Sequence, residues 1–225
     1  MALAKVNDYE WVGYVGDVWP YEVDTKSYNH PTGADGFLLV ALSLATSSGS
    51  PAFSSVFYGG DEMEELLNYN DSDWQVSQRY AFYGLKNPKT GSNNLVTTVS
   101  PGASGGPLSM YVCSFTGSGG AGNIGNTGAL NTPNSQSLTV SEGSAIYAFG
   151  QSTNAGTTIT IDGSSRPLEM QHNNNKIIFG AVSAMGLPAG PIAVAVAVTW
   201  NVVTNIRIEI KEAVAVSSRR IFLVT

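Results

Sequence analysis

Along most of this chain, apolar and polar residues alternate in short runs. Turns rich in Gly, Asn and Pro separate these runs. This alternation predicts β-strands with one buried face. Residues 37–44, FLLVALSL, are instead apolar at nearly every position, which predicts a strand covered on both faces. The other predicted strands cover residues 74–85, 94–99, 108–115, 137–140, 145–149, 157–161, 176–184, 192–200 and 206–211.

Helical signals are almost absent. Residues 61–67, DEMEELL, have a helical composition, but the stretch is too short to be stable alone. It also follows Gly59-Gly60, a hairpin signal, so we predict a returning strand at residues 63–67. A series of strands without helical crossovers predicts an all-β fold, an antiparallel jelly-roll-like β-sandwich.

Two strands near the end of the chain have distinct faces. In residues 192–200, bulky residues alternate with Ala193, Ala195 and Ala197. The bulky face predicts core, while the alanine face fits close approach by another surface or relieves crowding under a loop. In residues 206–211, isoleucines alternate with Arg, Glu and Lys, which is typical of a strand with one buried face.

The two ends of the chain predict extensions of the sandwich. Residues 1–26 are rich in Trp and Tyr but poor in aliphatic residues, which favours an arm that docks on another surface. Residues 214–225 end in an apolar strand that can close a sheet edge in its own subunit or in another. We therefore predict an N-terminal aromatic arm (1–26), a sandwich (27–213) and a C-terminal tail strand (214–225). The candidate partner-binding residues are Trp11, Tyr14, Trp19, Tyr21, Ile221, Phe222 and Leu223.

Composition narrows the possible partners. The 225 residues include 43% apolar residues, enough for a substantial core, and only 12% charged residues, about half the usual share of roughly 25%. A net charge of −6 without basic patches argues against direct nucleic-acid binding. No apolar run approaches the roughly 20 residues of a membrane span, and no leader follows Met1, so we expect synthesis in the cytoplasm and no membrane contact.

The stretch SPGASGGPL at residues 100–108 resembles the nucleophile loop of a serine hydrolase. The order His, Asp, Ser exists as His30, then Asp61, Asp71 or Asp73, then Ser104. However, His30 precedes a proline turn, and too few residues separate it from Ser104 for two barrels. His172 follows Ser104, but that order belongs to a fold with alternating strands and helices. We therefore predict a turn at Ser104, and no enzyme.

The sequence also contains few residues in patterns that could bind a metal ion or a ligand. Two histidines and the single Cys113, which we predict to be a buried thiol, cannot form a usual zinc site. Residues 70–73, NDSD, either hold calcium or form a polar hairpin loop. The acids at residues 61–65 predict a solvated strand edge, and residues 117–134 predict a long Gly- and Asn-rich loop. We predict no metal and no cofactor.

Several short motifs run through residues 27–213. They comprise a His-containing turn before an apolar strand (30–44), a V-x-Y-G-G-x-x-M hairpin (56–63), Y-x-L-x-N-P-x-x-G (83–91), an Asn- and Val-containing strand (94–99), S-F-x-G (114–117), Trp200, and E-I-K (209–211). Together they resemble a family of bacterial and phage jelly-roll β-sandwich domains found in virion proteins. The resemblance implies a non-enzymatic part of a phage particle.

These observations and the resemblance predict a phage virion structural protein, a capsid decoration (cement) protein. We expect a homotrimer that binds the major capsid protein or another virion protein and is located in the virion, after assembly in the host cytoplasm. The alternatives are a tail or fibre component, or a carbohydrate- or receptor-binding module that uses Trp74 beside Asp71 and Asp73.

Overall fold

Every regular element in the described part of the chain is a β-strand. The computed structural model describes residues 2–15, 21–30, 36–46, 53–71, 77–99, 106–131, 134–152, 158–168, 170–173, 178–197 and 202–214. The first strands are β1 (Ala4–Val15), β2 (Tyr21–His30), β3 (Phe37–Thr46), β4 (Phe53–Tyr58), β5 (Asp61–Glu62), β6 (Glu64–Asp71), β7 (Ser77–Lys86), β8 (Gly91–Val99) and β9 (Gly106–Thr116). The later strands are β10 (Ser118–Asn131), β11 (Asn134–Val140), β12 (Ala145–Ser152), β13 (Thr158–Ile161), β14 (Ser164–Arg166), β15 (Met170–Asn173), β16 (Ile178–Ala184), β17 (Gly190–Ala197) and β18 (Val202–Glu212).

The strands form four antiparallel sheets. Sheet A has the order β1-β9-β3-β7-β6, and sheet B has the order β2-β8-β4-β5. Sheet C has the order β10-β18-β12-β16-β15, and sheet D has the order β11-β17-β13-β14. Sheets A and B form a first sandwich, and sheets C and D form a second sandwich.

The two sandwiches have the same topology, because each strand of the first has a counterpart nine strands later in the second. The two sandwiches also agree in their hairpin turns and in the register of their first strands. The β4–β5 turn at Gly59-Gly60 and the β13–β14 turn at Asp162-Gly163 both have positive φ at two successive residues, as a type I′ hairpin requires. Strands β1 and β10 also share a register shift where they pair with the last strand of their sandwich. The chain therefore contains the same architecture twice.

The connectivity within each sandwich has a recognisable order. Strands β5 and β6 follow one another directly but lie in sheets B and A, so they act as two parts of one strand that crosses between the sheets. With that strand counted once, β1-β9-β3-β7 faces β2-β8-β4-β5. We interpret this order as that of an eight-stranded jelly roll.

Three hydrophobic cores separate the four sheets. One core lies between sheets A and B, and another lies between sheets C and D. A third, the central core, joins the opposite faces of sheets A and C. The layers are therefore stacked in the order B, A, C, D, and the two inner sheets are covered on both faces.

Aromatic side chains connect the two sandwiches across the central core. The Tyr111 and Tyr147 rings stack with centroids 5.4 Å apart, and Phe82 meets Tyr147 edge-on at 6.3 Å. Tyr80 and Phe149 form a further edge-on pair at 6.1 Å. Such pairs contribute about 0.5–1.5 kcal/mol each beyond burial, so this interface resembles a domain interior.

The structure confirms the all-β antiparallel prediction and several of its details. Residues 37–44 lie in β3 of an inner sheet, and each of them is buried, with cores on both sides. The returning strand after the Gly59-Gly60 hairpin is present as β5 and β6. Cys113 is a fully buried thiol in the central core.

The domain boundaries differ from those predicted. Ala4–Val15 is not an arm, because β1 pairs with β9 along its length as an edge strand of sheet A. Strand β2 likewise pairs with β8 in sheet B. Residues 27–213, predicted to form one sandwich, are divided between two. Of the predicted tail strand, only Val214 lies among the described residues.

The prediction of a long loop at residues 117–134 is wrong, because Ser118–Asn131 forms the strand β10. Glycine is required in β10 because long side chains of β18 pack closely against it. A Cβ at Gly122 would collide with the Glu209 carboxylate, and a Cβ at Gly125 would lie 2.8 Å from the Arg207 guanidinium carbon. A composition that is typical of loops is here required by long side chains that cross the strand.

The prediction of a strand with one buried face at residues 206–211 is incomplete, because the opposite face is also buried at Arg207 and Glu209. Arg207 is only 5% exposed and Glu209 is 0% exposed. Their strand, β18, lies inside sheet C, so the face opposite the isoleucines points into the second sandwich rather than into water.

Candidate functional site

The outer face of sheet D is built from small, uncharged side chains. Ile192, Val194 and Val196 of β17 point into the second sandwich, so the residues between them point outward. We call the outward set the sheet D face. Its described members are Ser135, Ser137, Thr139, Thr158, Thr160, Ser165, Pro191, Ala193 and Ala195. None of these described residues is charged or larger than Thr or Pro, so the face can approach another surface closely.

Sheet B, the outermost layer at the other end, presents a different outer face. Phe57 pairs with Glu62 there, so a large aromatic ring lies beside an exposed carboxylate. Asn94 of β8 occupies the position that Ala193 of β17 occupies in sheet D. The Asn94 carbonyl accepts a hydrogen bond from Gly59 N at 2.9 Å, and the Ala193 carbonyl accepts one from Asp162 N at 2.8 Å. The two faces are therefore equivalent in position but not in chemistry.

A cleft of about 330 Å³ opens between the two sandwiches, where β6 and β7 meet β10. It is lined by Phe37, Leu66, Gly84, Ala121, Gly122 and Ile124 and by three exposed charged residues, Glu64, Glu65 and Lys86. Leu66, Ala121 and Ile124 are half-buried and pack against the central core. The cleft therefore brings the apolar edge of that core to the surface beside charged side chains of both signs.

The buried carboxylate of Glu209 is the centre of a hydrogen-bond cluster in the second sandwich. Its carboxylate accepts hydrogen bonds from Asn123 N at 3.0 Å, Ser141 N at 2.7 Å and Ser144 Oγ at 2.8 Å. Burial raises its pKa, but these hydrogen bonds outweigh burial and leave the pKa below its ordinary value. We call these four residues the Glu209 cluster; it fastens β10 and the β11–β12 turn to β18.

Other polar side chains bridge sheets C and D. Asn205 Nδ2 donates to the Val194 carbonyl at 3.1 Å, and Asn123 Nδ2 donates to the Thr139 carbonyl at 2.8 Å. Arg207 Nη2 lies 3.4 Å from the Ser137 carbonyl, and burial lowers the pKa of Arg207. These contacts satisfy backbone carbonyls on β11, the edge strand of sheet D, and on its neighbour β17, so the polar groups have a structural role.

The first sandwich makes the corresponding connection with neutral groups. Ser114 Oγ and Tyr28 Oη share a buried hydrogen bond of 2.7 Å that joins β9 to β2. Burial raises the pKa of the Tyr28 phenol, so it stays protonated. Tyr58 Oη donates to the carbonyls of Tyr28 and Gly91 at 3.1 and 3.0 Å.

The predicted partner-binding residues are not brought together by the described structure. Trp11 and Tyr14 lie in β1, and Tyr21 begins β2. These residues therefore belong to the first sandwich rather than to an arm. Trp19 and the tail residues Ile221, Phe222 and Leu223 lie outside the described residues.

The other predicted site residues lie largely outside the part of the chain that the structure describes. Asp71 is the last residue of β6, whereas Asp73, Trp74 and Ser104 lie outside the described residues. Among the described residues, no three His, Cys, Asp or Glu side chains are placed to hold a metal ion. Nor does that part of the chain contain a helix that is long and apolar enough to cross a membrane.

Sequence reasoning missed the cleft and the Glu209 cluster. Both depend on β10, whose glycines were interpreted as a loop, and on its pairing with β18, far away in sequence. The alanine alternation in residues 192–200, by contrast, is a local signal that did point to part of the sheet D face.

Comparisons with protein-family models, with curated proteins and with solved structures find no match for this chain. The resemblance to phage jelly-roll domains therefore stays a prediction that rests on the motifs in residues 27–213.

Proposed function

We propose that this protein is a non-enzymatic structural component of a phage virion, and specifically a capsid decoration protein that acts as a homotrimer. Its mechanism is binding: it buries a preformed surface against copies of itself and neighbouring virion proteins. The virion setting comes from the sequence resemblance, and an assembling role is supported by the surface chemistry described above.

The observation that carries the assembling role is the sheet D face. Charged groups at the centre of an interface must be desolvated, and interface cores are accordingly depleted of them. The described residues of the sheet D face carry no charge. Small side chains also lose little rotamer freedom when another surface covers them.

The rigidity of the scaffold supports the same role. The sheet D face is held by a core of fully buried Ile159, Ile161, Val194 and Val196 and by the polar bridges from sheet C. A rigid surface loses little conformational entropy on association, so more of its contact energy stabilises the complex.

The test is the solution mass by light scattering of the wild type and two variants. Ala193→Arg places a charge at the centre of the sheet D face, and Asn94→Arg places it at the matched position of sheet B. We expect an oligomer, a trimer, for the wild type and for Asn94→Arg, and a monomer for Ala193→Arg. A monomeric wild type, or equal behaviour of the two variants, would contradict the proposal.

Deleting residues 1–26 is not a clean test of attachment. It would remove β1 from sheet A and part of β2 from sheet B. Any loss of particle binding would then reflect damage to the first sandwich. The two single substitutions avoid this problem because both positions are on outward faces.

A further inference from the structure

The Glu209 cluster adjoins a strand that carries part of the sheet D face. Strand β11, the edge strand of sheet D, supplies three members of that face, Ser135, Ser137 and Thr139. The Glu209 carboxylate accepts a hydrogen bond at 2.7 Å from Ser141 N, directly after the end of β11. A buried carboxylate therefore fixes the end of a strand whose outward side chains belong to the proposed interface.

Asn123 forms a second connection between this carboxylate and β11. Its backbone N donates to Glu209 Oε2 at 3.0 Å, and its side-chain Nδ2 donates to the Thr139 carbonyl at 2.8 Å. Asn123 lies in the irregular part of β10, where the register with β18 shifts between Ala121 and Ile124. Because a bulged backbone lacks its usual ladder partners, the carboxylate supplies the acceptor that keeps Asn123 within reach of β11.

Among the described residues, few charged groups surround Glu209. Arg207 and Lys211 are two residues away on the same face of β18. Glu142 lies exposed in the β11–β12 turn, and the Glu212 carboxylate lies against the same turn. Strands β10, β11, β12 and β17 contain no Asp, Glu, His, Lys or Arg. The hydrogen bonds that Glu209 accepts decide the balance, and they keep it ionised at neutral pH.

We propose that Glu209 is an acid-sensitive switch for the sheet D face: its carboxylate holds β11 in place, and protonation of this carboxylate releases β11 and weakens the assembly. A protonated carboxyl group is a weaker acceptor and brings a donor of its own among three other donors. In the first sandwich the equivalent strand, β2, is held by the neutral pair Ser114 and Tyr28, which does not titrate in acid. The effect on assembly rests on the proposed function, whereas the effect on β11 does not.

Hydrogen exchange of the full-length protein, followed by mass spectrometry, tests the switch separately from assembly. The variant Glu209→Gln removes the charge, and the matched control Glu142→Gln removes an exposed charge from the adjacent turn. Both are measured in the Ala193→Arg background, so that dissociation of an oligomer cannot cause the change.

At pH 7 we expect the amides of β11 to exchange at least about tenfold faster in Glu209→Gln than in the Ala193→Arg parent, because charge-assisted hydrogen bonds are about twice as strong as neutral ones. The amides of β13, on the other side of β17 in sheet D, should exchange at the parent rate, as should β11 in Glu142→Gln. After correction for intrinsic rates, the parent should approach the Glu209→Gln pattern as the pH falls below 4.5, the ordinary pKa of Glu209.

Two results would overturn the switch. One is equal exchange of β11 in Glu209→Gln and Glu142→Gln. The other is an equal rise in β11 and β13, which would mean global destabilisation. If Glu209→Gln does not fold, Asn123→Ala decides, because it keeps the backbone contact with Glu209 and removes only the Thr139 contact. It should raise exchange in β11 alone, and unchanged exchange there would overturn the switch.

Light scattering of Glu209→Gln without the Ala193→Arg substitution measures the effect on assembly. We expect an apparent dissociation constant at least about tenfold above that of the wild type. An unchanged constant would contradict the coupling between Glu209 and the sheet D face. A monomeric wild type would contradict the proposed function and the effect on assembly, while the exchange of β11 would still decide whether Glu209 holds that strand.

Discussion

The two sandwiches share one topology but fill their interiors with different chemistry. Phe115 of β9 pairs with Phe37, the first residue of β3, and Ile210 of β18 pairs with Ala145, the first residue of β12. Because β3 and β12 are equivalent strands, Phe115 and Ile210 are equivalent residues, and this aligns β9 with β18. The interior positions Met110, Val112 and Ser114 of β9 then correspond to Asn205, Arg207 and Glu209 of β18. The first sandwich thus has a mainly apolar interior next to sheet A, whereas the second has a row of polar and charged groups next to sheet C.

This difference shows that the topology does not depend on the chemistry of that row. The features that the sandwiches share are turns and register: two-residue hairpins with positive φ, and a bulge in the first strand. The charged row is tolerated because the second sandwich supplies donors and acceptors for it, including Asn123 and Ser141. A buried charge without such partners is strongly unfavourable.

The largest expected effect on stability comes from exchanging an apolar and a charged side chain at equivalent positions of the two interiors. Val112→Arg buries a charge among apolar residues of the first sandwich and should lower the free energy of unfolding by more than about 4 kcal/mol. Arg207→Met should change it by about 1 kcal/mol or less, because apolar replacements of buried ionic groups are often tolerated. Urea unfolding of both variants measures the contrast. Equal losses would show that the two interiors do not differ as described.

The Glu209 cluster should contribute more to the free energy of unfolding than its counterpart in the first sandwich, the hydrogen bond between Ser114 and Tyr28. Glu209→Ala leaves three donors without their acceptor, of which Ser144 Oγ is buried, and should cost about 3 kcal/mol. Ser114→Ala removes one hydrogen bond to Tyr28 and should cost about 1–2 kcal/mol. Denaturant unfolding of the two variants compares them directly, and a larger loss for Ser114→Ala would refute this ranking.

Acid should weaken the Glu209 cluster selectively. The pKa of Glu209 in the folded protein is below its ordinary value of 4.5. Its contribution is therefore complete above that value and is lost as the pH falls through the folded pKa. We expect the stability difference between wild type and Glu209→Gln to shrink between about pH 6 and pH 3. A difference that stays constant over this range would mean that Glu209 does not titrate in this way.

The smallest expected effect on stability is at the two glycine-containing hairpin turns, where the sandwiches should behave alike. Gly60 and Gly163 have φ of +86° and +70°, with no atom within 4 Å of an added Cβ. Substituting either with Ala should cost about 1 kcal/mol, because only the left-handed backbone is penalised. Thermal unfolding of Gly60→Ala and Gly163→Ala should show matching shifts. A clear difference would mean that the two turns are not equivalent.

The sequence predicted the strands whose signals are local. Alternation and apolar runs placed β3, β7, β9 and β17, and Gly59-Gly60 placed the first hairpin. The duplication was missed because equivalent loops share length but little chemistry: residues 85–91 read LKNPKTG and residues 184–190 read AMGLPAG. Both end in a glycine with positive φ, Gly91 and Gly190, which is the signal that could have revealed the repeat.

Features that depend on distant partners could not be predicted in this way. Strand β10 is specified by its pairing with β18, not by its own composition. Alternation cannot distinguish a solvated face from a polar interior, so the burial of Arg207 and Glu209 could not be predicted. The sheet D face was only partly visible, because its rows combine residues from four strands.

The two outer faces show the same contrast as the interiors: equivalent positions, different chemistry. The central proposal is that the sheet D face binds another copy and the sheet B face does not. The most direct measurement is the rate of thiol modification of Ala193→Cys and Asn94→Cys at low and high protein concentration, with Cys113 buried in both. We expect the rate at position 193 to fall as concentration rises while the rate at position 94 stays constant. Rates that are independent of concentration at both positions, or a fall at position 94 alone, would contradict the account.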